Sequence, residues 1–230
     1  MIDYNRKELL VSLHIPKCGG TSFHRVLKSW FRLGFREHYY NHKKQQIPDK
    51  SRILPAIGQF IPTIVHGHFD RFHDGINFFE HYPEAKQFIS ILRNPLELQI
   101  SFYFYTKKLV KDRSLIWDGK VVESADYLGL SLDEHLETAQ YNWLRFMPWD
   151  LNFENYKTIF EENFIHIGVT EELQRSVDIM AEKLKMPAKK VPRENEAERN
   201  EKPSESSIKI FEANHKLELE IYQYVAMLNI

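Results

Sequence analysis

Apolar positions along this chain fall into two alternating patterns, short nearly unbroken runs and longer stretches with helical spacing. The runs centre on Leu10-Val11-Ser12-Leu13, Ile64-Val65, Phe88-Ile89-Ser90-Ile91-Leu92 and Phe164-Ile165-His166-Ile167. They predict buried strands near residues 9–14, 62–66, 87–92 and 164–167. Between them, Phe23, Val26, Leu27, Trp30 and Phe31 predict a helix from Thr21 to about Phe35, and Leu98, Ile100, Phe102 and Tyr105 another from Pro95 to about Lys108. Ser131-Leu132-Asp133-Glu134 has the form of a capping box and opens a helix to about Met147. A short helix follows over Asn155 to Asn163, and Thr170, with Glu171 and Glu172 behind it, is placed to cap a helix ending near Lys185. Ile210, Phe211, Leu217, Ile221, Tyr224 and Val225 mark a terminal helix from Ser207 to Leu228. Residues 36–61, 109–130 and 187–207 lack sustained periodicity and read as loops, the last of them mobile. His38 and His42, on the first of these, are expected to be solvated rather than metal-bound. Strands alternating with helices predict an α/β fold with a mainly parallel sheet, flanked by helices, and ligands at the carboxyl ends of its strands.

The first strand runs into the most informative stretch, His14-Ile15-Pro16-Lys17-Cys18-Gly19-Gly20-Thr21-Ser22-Phe23. Pro16 ends the strand, two glycines permit a sharp turn, and a helix begins at the hydroxyl pair. Exposed N–H groups at a helix start, with the hydroxyls of Thr21 and Ser22 and the charge of Lys17, suit a phosphate-like anion. A Walker A loop, G-x-x-x-x-G-K-[ST], is not matched, because the lysine precedes the glycines and Gly20 precedes Thr21. Taken alone, an ordinary strand-to-helix turn holding two glycines explains the stretch equally well.

A second element separates the two readings. The strand over Phe88 to Leu92 ends in Arg93-Asn94-Pro95, with Ser101 eight positions after the arginine. Pro95 suits the first helical position, where its missing N–H is no loss. Ser101 then lies about two turns in, where it can sit beside Arg93, and a guanidinium with a hydroxyl suits a second phosphate. With both elements in view the chain resembles the sulfotransferases that use 3′-phosphoadenosine 5′-phosphosulfate (PAPS), most nearly the branch of the heparan and chondroitin O-sulfotransferases. Pro16, Lys17, Gly19, Gly20, Thr21 and Ser22 match the 5′-phosphosulfate loop of that family, and Arg93, Asn94, Pro95 and Ser101 its 3′-phosphate element. His66-Gly67-His68-Phe69, Gly168-Val169-Thr170-Glu171-Glu172-Leu173 and Arg193-x-Asn195 are weaker likenesses.

The resemblance implies a P-loop-like α/β fold in one sulfotransferase domain over residues 1–230. It implies PAPS as donor and 3′,5′-bisphosphoadenosine (PAP) as product, held by Lys17, Cys18, Gly19, Gly20, Thr21, Ser22, Arg93, Ser101 and Arg193. The acceptor it implies is a hydroxyl, with a carbohydrate as the favoured carrier, and residues 109–130 are expected near the acceptor site.

His66 and His68 share one side of the chain if the strand extends that far. Paired structural histidines, a metal site and a general base at a strand end all remain open for them. No acidic or cysteine partner stands at a recognisable metal spacing, and beside two phosphate elements a base is favoured, because imidazole titrates near neutrality. The family's H-x-H pattern gives that role to His68, leaving His66 to orient the acceptor or support the strand. A sulfuryl group carries less charge than a phosphoryl group, so no metal is expected. Two other readings stand beside this one. The first is a P-loop-type small-molecule kinase, disfavoured by the lysine's position. The second is a catalytically silent nucleotide-binding domain, disfavoured by the presence of both Lys17 and His68.

Composition narrows the partners. The 230 residues suffice for one well-cored domain, and a net charge of −1 offers no global field for nucleic acid. Cys18 is the only cysteine, so no internal disulfide can form. Met1 leads directly into Asp3, Arg6, Lys7 and Glu8 rather than a signal-peptide core, and no apolar run approaches spanning length. A cytoplasmic, microbial relative of the Golgi-anchored animal enzymes is expected.

Overall fold

The computed structural model describes residues 1–39, 61–69, 78–111, 116–117, 120–121, 129–140, 142–192 and 199–230. Its strands are β1 (Leu10–Leu13), β2 (Phe35–His38), β3 (Ile64–Gly67), β4 (Gln87–Leu92), β5 (Ile116–Trp117), β6 (Lys120–Val121) and β7 (Phe164–Val169). Five of them form one sheet in the order β2-β3-β1-β4-β7, with every neighbouring pair parallel. β5 and β6 form a separate antiparallel ladder within 109–130, the stretch expected near the acceptor site. The helices are α1 (Gly20–Phe31), α2 (Phe78–His81), α3 (Pro95–Lys111), α4 (Leu132–Glu137), α5 (Tyr156–Asn163), α6 (Leu173–Leu184), α7 (Glu205–Asn214) and α8 (Lys216–Met227).

The unbroken apolar runs arise because the sheet is covered on both faces. On one face Leu10, Ile64, Ile89, Ile91 and Ile165 pack against Phe23, Val26, Leu27, Trp30 and Phe31 of α1 and Val177, Met180, Ala181 and Leu184 of α6. On the other, Val11, Leu13, Val65, Phe88, Leu92, Phe164 and Val169 meet Trp143 and Phe146, Tyr156 and Phe160 of α5, and Ile221 and Val225 of α8. A third cluster joins Ile100, Tyr103 and Phe104 of α3 to Leu132 and Leu136 of α4 and Phe211 of α7. Among the described residues no helix is long and apolar enough to cross a membrane.

The structure departs from the sequence expectations at several element ends, each for a packing reason. The first helix stops at Phe31, and Phe35 to His38 forms the edge strand β2 rather than a loop. The reversal turns on Arg32, at φ 44°, and on Gly34, where an added Cβ would fall 2.0 Å from the Pro62 carbonyl oxygen. His38 is buried, not solvated, with Nδ1 2.8 Å from the Tyr82 hydroxyl; His42 lies outside the described residues. The helix opened by Ser131 ends at Glu137, and Trp143–Phe146 is a separate 3-10 turn. Leu132 and Leu136 serve the third cluster and Trp143 and Phe146 the main core, which one straight helix cannot do together. The terminal helix is likewise two, α7 capped by Ser204 and α8 beginning after His215, whose ring stacks on Phe211 at 4.1 Å. Thr170 does not cap α6. Its hydroxyl donates to the Leu92 carbonyl (2.9 Å), and a 3-10 turn over Thr170–Glu172 precedes the helix. The described parts of 187–207 are tied down: Trp30 Nε1 donates to Pro187 O (2.9 Å), and Gln174 Oε1 accepts from Val191 N–H (2.8 Å).

The chain end is fastened to the sheet by one side chain. Asn229, 3 % exposed, accepts at Oδ1 from His166 Nε2 (3.0 Å) and donates through Nδ2 to Ile167 O and Val225 O (2.9 Å each). Truncation would leave these buried groups without partners, so Asn229→Ala is expected to lower stability by about 2–3 kcal/mol. Urea unfolding measures it, and a midpoint equal to wild type would show that the contacts contribute nothing net.

Candidate functional site

Three corners at the carboxyl ends of the central strands gather the chemistry the sequence singled out. The first follows β1. Beyond Leu13 the ladder continues for one residue, His14 N–H donating to Gly67 O (2.8 Å), before Pro16 ends it. Lys17 (φ 65°) and Gly19 (φ 70°) both take left-handed backbone conformations, and the chain turns back into α1 at Gly20. For Lys17 that conformation costs about 1–2 kcal/mol. α1 is not capped by a side chain of Gly19, and its first turn holds no acidic residue. Other helix starts are capped by a side chain: Asn94 Oδ1 caps α3, Ser131 caps α4 and Ser204 caps α7. The N-terminus of α1 therefore keeps its positive end and first-turn N–H groups for an external acceptor. Thr21 is exposed there, whereas Ser22 is buried at 5 %. Cys18 is turned away from the mouth of this corner. It is 2 % exposed within the core, burial pushes its thiol well above the ordinary value, and its N–H donates to Ile15 O (3.3 Å).

The second corner follows β4 and is bonded to the first. Arg93 Nη1 donates to the carbonyl oxygen of Lys17 (3.0 Å), so the two phosphate-like elements are one mechanical unit. Arg93 Nη2 lies 3.6 Å from Glu97 Oε2, while its Nε is buried without a partner among the described residues. Pro95 opens α3 as expected, and Ser101, two turns in, is 9 % exposed. Tyr105, one turn further on, places its ring 3.7 Å beneath Lys17 Nζ. Burial, and after it the Arg93 charge, lower the Lys17 ammonium to about 8. Arg193 and Asn195 lie outside the described residues. Arg199, from the same segment, pairs with Glu97 Oε2 at 2.9 Å.

The third corner follows β3 and holds a stack of imidazoles. His14 lies between His66 (ring centroids 4.9 Å apart) and His68 (4.4 Å), because Ser12 pairs with His66 in the ladder and His14 falls level with His68. The expectation that His66 and His68 share a side is met, but they differ in access. His66 is 0 % exposed, with Nδ1 2.9 Å from Ser12 Oγ and its ring edge-on to Phe23. His68 is half-buried at the strand end, flanked by Tyr39 (4.9 Å) and Phe146 (5.9 Å). Its Nδ1–H donates to the His14 carbonyl oxygen (2.7 Å). A carbonyl can only accept, so Nδ1 carries the proton and the neutral ring keeps its lone pair on Nε2. Burial first, then the neighbouring imidazoles, hold His14 and His66 well below the ordinary histidine value.

Sequence reasoning missed His14 and Tyr39. His14 Nδ1 lies 2.7 Å from the Tyr39 hydroxyl, and its other edge rests on Gly20, where an added Cβ would fall 1.6 Å from Nε2. The imidazole thus joins the anion turn to the His68 corner, and Gly20 is required by that contact rather than by its backbone angle. A polar residue two places after Ser12 on a buried strand was the available signal.

The sequence matches the Sulfotransferase family over residues 1–228, and the chain belongs to that family. It is a sulfotransferase by family. No curated protein matches the sequence. Among solved structures, mouse sulfotransferase SULT7A1 complexed with PAP aligns at a TM-score of 0.44 and 13% identity, over 81% of this chain and 61% of that one. A sulfotransferase from Alicyclobacillus acidocaldarius aligns at a TM-score of 0.43 and 15% identity, over 94% and 98%. The chain thus spans less than two thirds of the mouse protein's length.

Proposed function

We propose that this sulfotransferase moves a sulfuryl group from PAPS to an acceptor hydroxyl, with His68 as the base. The observation that carries the reading is the bond from Arg93 to the Lys17 carbonyl. It joins two cationic corners within one site, one at a helix start with no side-chain cap at Gly19 and one with a buried guanidinium nitrogen that has no partner among the described residues. Such a pair suits a ligand with two separated anionic groups. The turn over Lys17 to Ser22 would hold the 5′-phosphosulfate through main-chain N–H groups and the Thr21 hydroxyl. Arg93 and Ser101 would take the 3′-phosphate, and Arg193 is the further candidate for it.

His68 Nε2 would remove the acceptor proton as the acceptor oxygen forms its bond to sulfur and the bond from sulfur to the bridging phosphate oxygen breaks. Lys17 would stabilise the charge that gathers on that leaving oxygen. His66 is buried, so its part is to support the strand and the stack. A saccharide is the proposed acceptor, on the resemblance to the carbohydrate branch.

The direct test incubates the protein with PAPS and a mixed panel of saccharide and other hydroxyl acceptors and detects the mass of an added sulfate. Transfer from ATP with magnesium, and none from PAPS, would replace this reading with a kinase. The donor half is testable without an acceptor. Arg93→Ala is expected to weaken PAP binding by roughly 1.5–3 kcal/mol, the worth of a charge-assisted contact. Adenosine 5′-monophosphate, lacking the 3′-phosphate, should be affected far less, and equal losses would show that Arg93 does not read that group.

A further inference from the structure

The Glu97 carboxylate stands where both described arginines of the donor corner converge. Its Oε2 is 2.9 Å from Arg199 Nη1 and 3.6 Å from Arg93 Nη2. Arg199 is not a loose surface cation at this place. Two residues on, Glu201 accepts from the Tyr103 hydroxyl of α3 (2.9 Å) and from Leu132 N–H (2.9 Å), and Ser204 N–H donates to Asp133 Oδ1 (2.8 Å). These bonds lay the 199–204 segment across α3 and α4 and bring Arg199 over the first turn of α3. Two guanidinium groups beside a helix N-terminus repel one another unless an anion lies between them, and Glu97 supplies it.

We propose that Glu97 is a built-in competitor for the donor's 3′-phosphate: its carboxylate holds Arg93 and Arg199 together, and an arriving phosphate must take both guanidinium groups from it. The proposal rests on the reading of Arg93 as the 3′-phosphate residue. The competition has a direction. A phosphate monoester carries about two negative charges and three acceptor oxygens against one charge and two oxygens for the carboxylate, so it prevails in the bidentate contacts. The displaced carboxylate stays on the same turn of α3, close to the bound anion, and repels it. Glu97 therefore weakens the nucleotide complex and speeds its dissociation. For a transferase whose product keeps the 3′-phosphate of the donor, that favours release of PAP after each turnover. It also assigns Arg199, which the sequence did not single out, as a second guanidinium for that phosphate.

The test measures PAP and adenosine 5′-monophosphate binding to wild type, Glu97→Gln, Arg199→Ala and Arg93→Ala by calorimetry, with PAP dissociation followed by stopped flow. Glutamine keeps the shape and removes the charge. Glu97→Gln is expected to tighten PAP by about 3- to 30-fold, mostly through slower dissociation, and to leave adenosine 5′-monophosphate within about 2-fold. Arg199→Ala is expected to loosen PAP by about 10-fold with the same selectivity. Unchanged or weaker PAP binding in Glu97→Gln, or equal tightening of both nucleotides, overturns the competitor role. The underlying reading fails separately, if Arg93→Ala weakens both nucleotides equally. A thermal melt of each variant separates loss of fold from loss of contact.

Discussion

Replacing His68 by alanine is expected to lower turnover by roughly two to four orders of magnitude, the usual worth of a positioned general base. PAP affinity should be nearly unchanged, because the ring stands at the end of β3, where its Nδ1–H bonds the His14 carbonyl, rather than at the Arg93 corner. The bond from His68 Nδ1–H to the His14 carbonyl fixes which nitrogen carries the proton, so Nε2 is the atom left to accept one. His66→Ala gives the contrast. That ring is wholly buried between Ser12, His14 and Phe23, so its loss should lower the melting temperature and cost less in turnover than His68→Ala does. A silent His66→Ala beside an active His68→Ala would reverse the two assignments.

The difference between these histidines was not legible in the sequence, and the reason is geometric. Spacing by two places His66 and His68 on one side of the chain, but burial depends on what covers that side, here His14 from the neighbouring strand and Phe23 from α1. Four of the five sheet strands were legible because both sheet faces are covered and the runs are continuously apolar. β2 was not, because Phe35 continues the helical spacing set by Phe31. Only the close approach of Gly34 to Pro62 reverses the chain there. The same limit hid the breaks after Glu137 and at His215, where helical periodicity persists while successive side chains enter different clusters. That both motifs fall at the carboxyl ends of strands was legible from the run-then-helix pattern around them. Their physical connection was not. Arg93 reaches the Lys17 carbonyl, and Glu97 with Arg199 completes the charge pattern, across 76 and about a hundred residues of chain respectively, a separation over which a single sequence carries no signal.

Lys17→Ala is expected to reduce turnover by about 10²–10³-fold, as loss of a charge aimed at a developing oxyanion does, and to weaken PAP binding by much less. The distinction follows from where the charge acts. On the ground-state donor the bridging oxygen is shared between sulfur and phosphorus. As the bond to sulfur breaks, negative charge gathers on that oxygen, so an ammonium beside it gains more in the transition state than in either bound nucleotide. In the proposed role, Lys17 is held ready at some expense. Its left-handed backbone is held by the bond from Arg93, and its ammonium rests on the Tyr105 ring, which stabilises the cation while burial and the Arg93 charge lower it to about 8. The active form is the protonated one, present below that value and lost above it. The second-order rate constant for PAPS, which reports the free enzyme, should therefore fall as pH rises through about 8. Bound donor phosphates favour the ammonium, so the corresponding fall in kcat should lie at higher pH. Lys17→Arg, whose charge does not titrate in this range, should abolish the alkaline fall even if its rate is lower. Turnover of Lys17→Ala at saturating PAPS equal to that of the wild type would remove the lysine from the chemistry, and a matching loss in PAP affinity and rate would make it a binding residue alone.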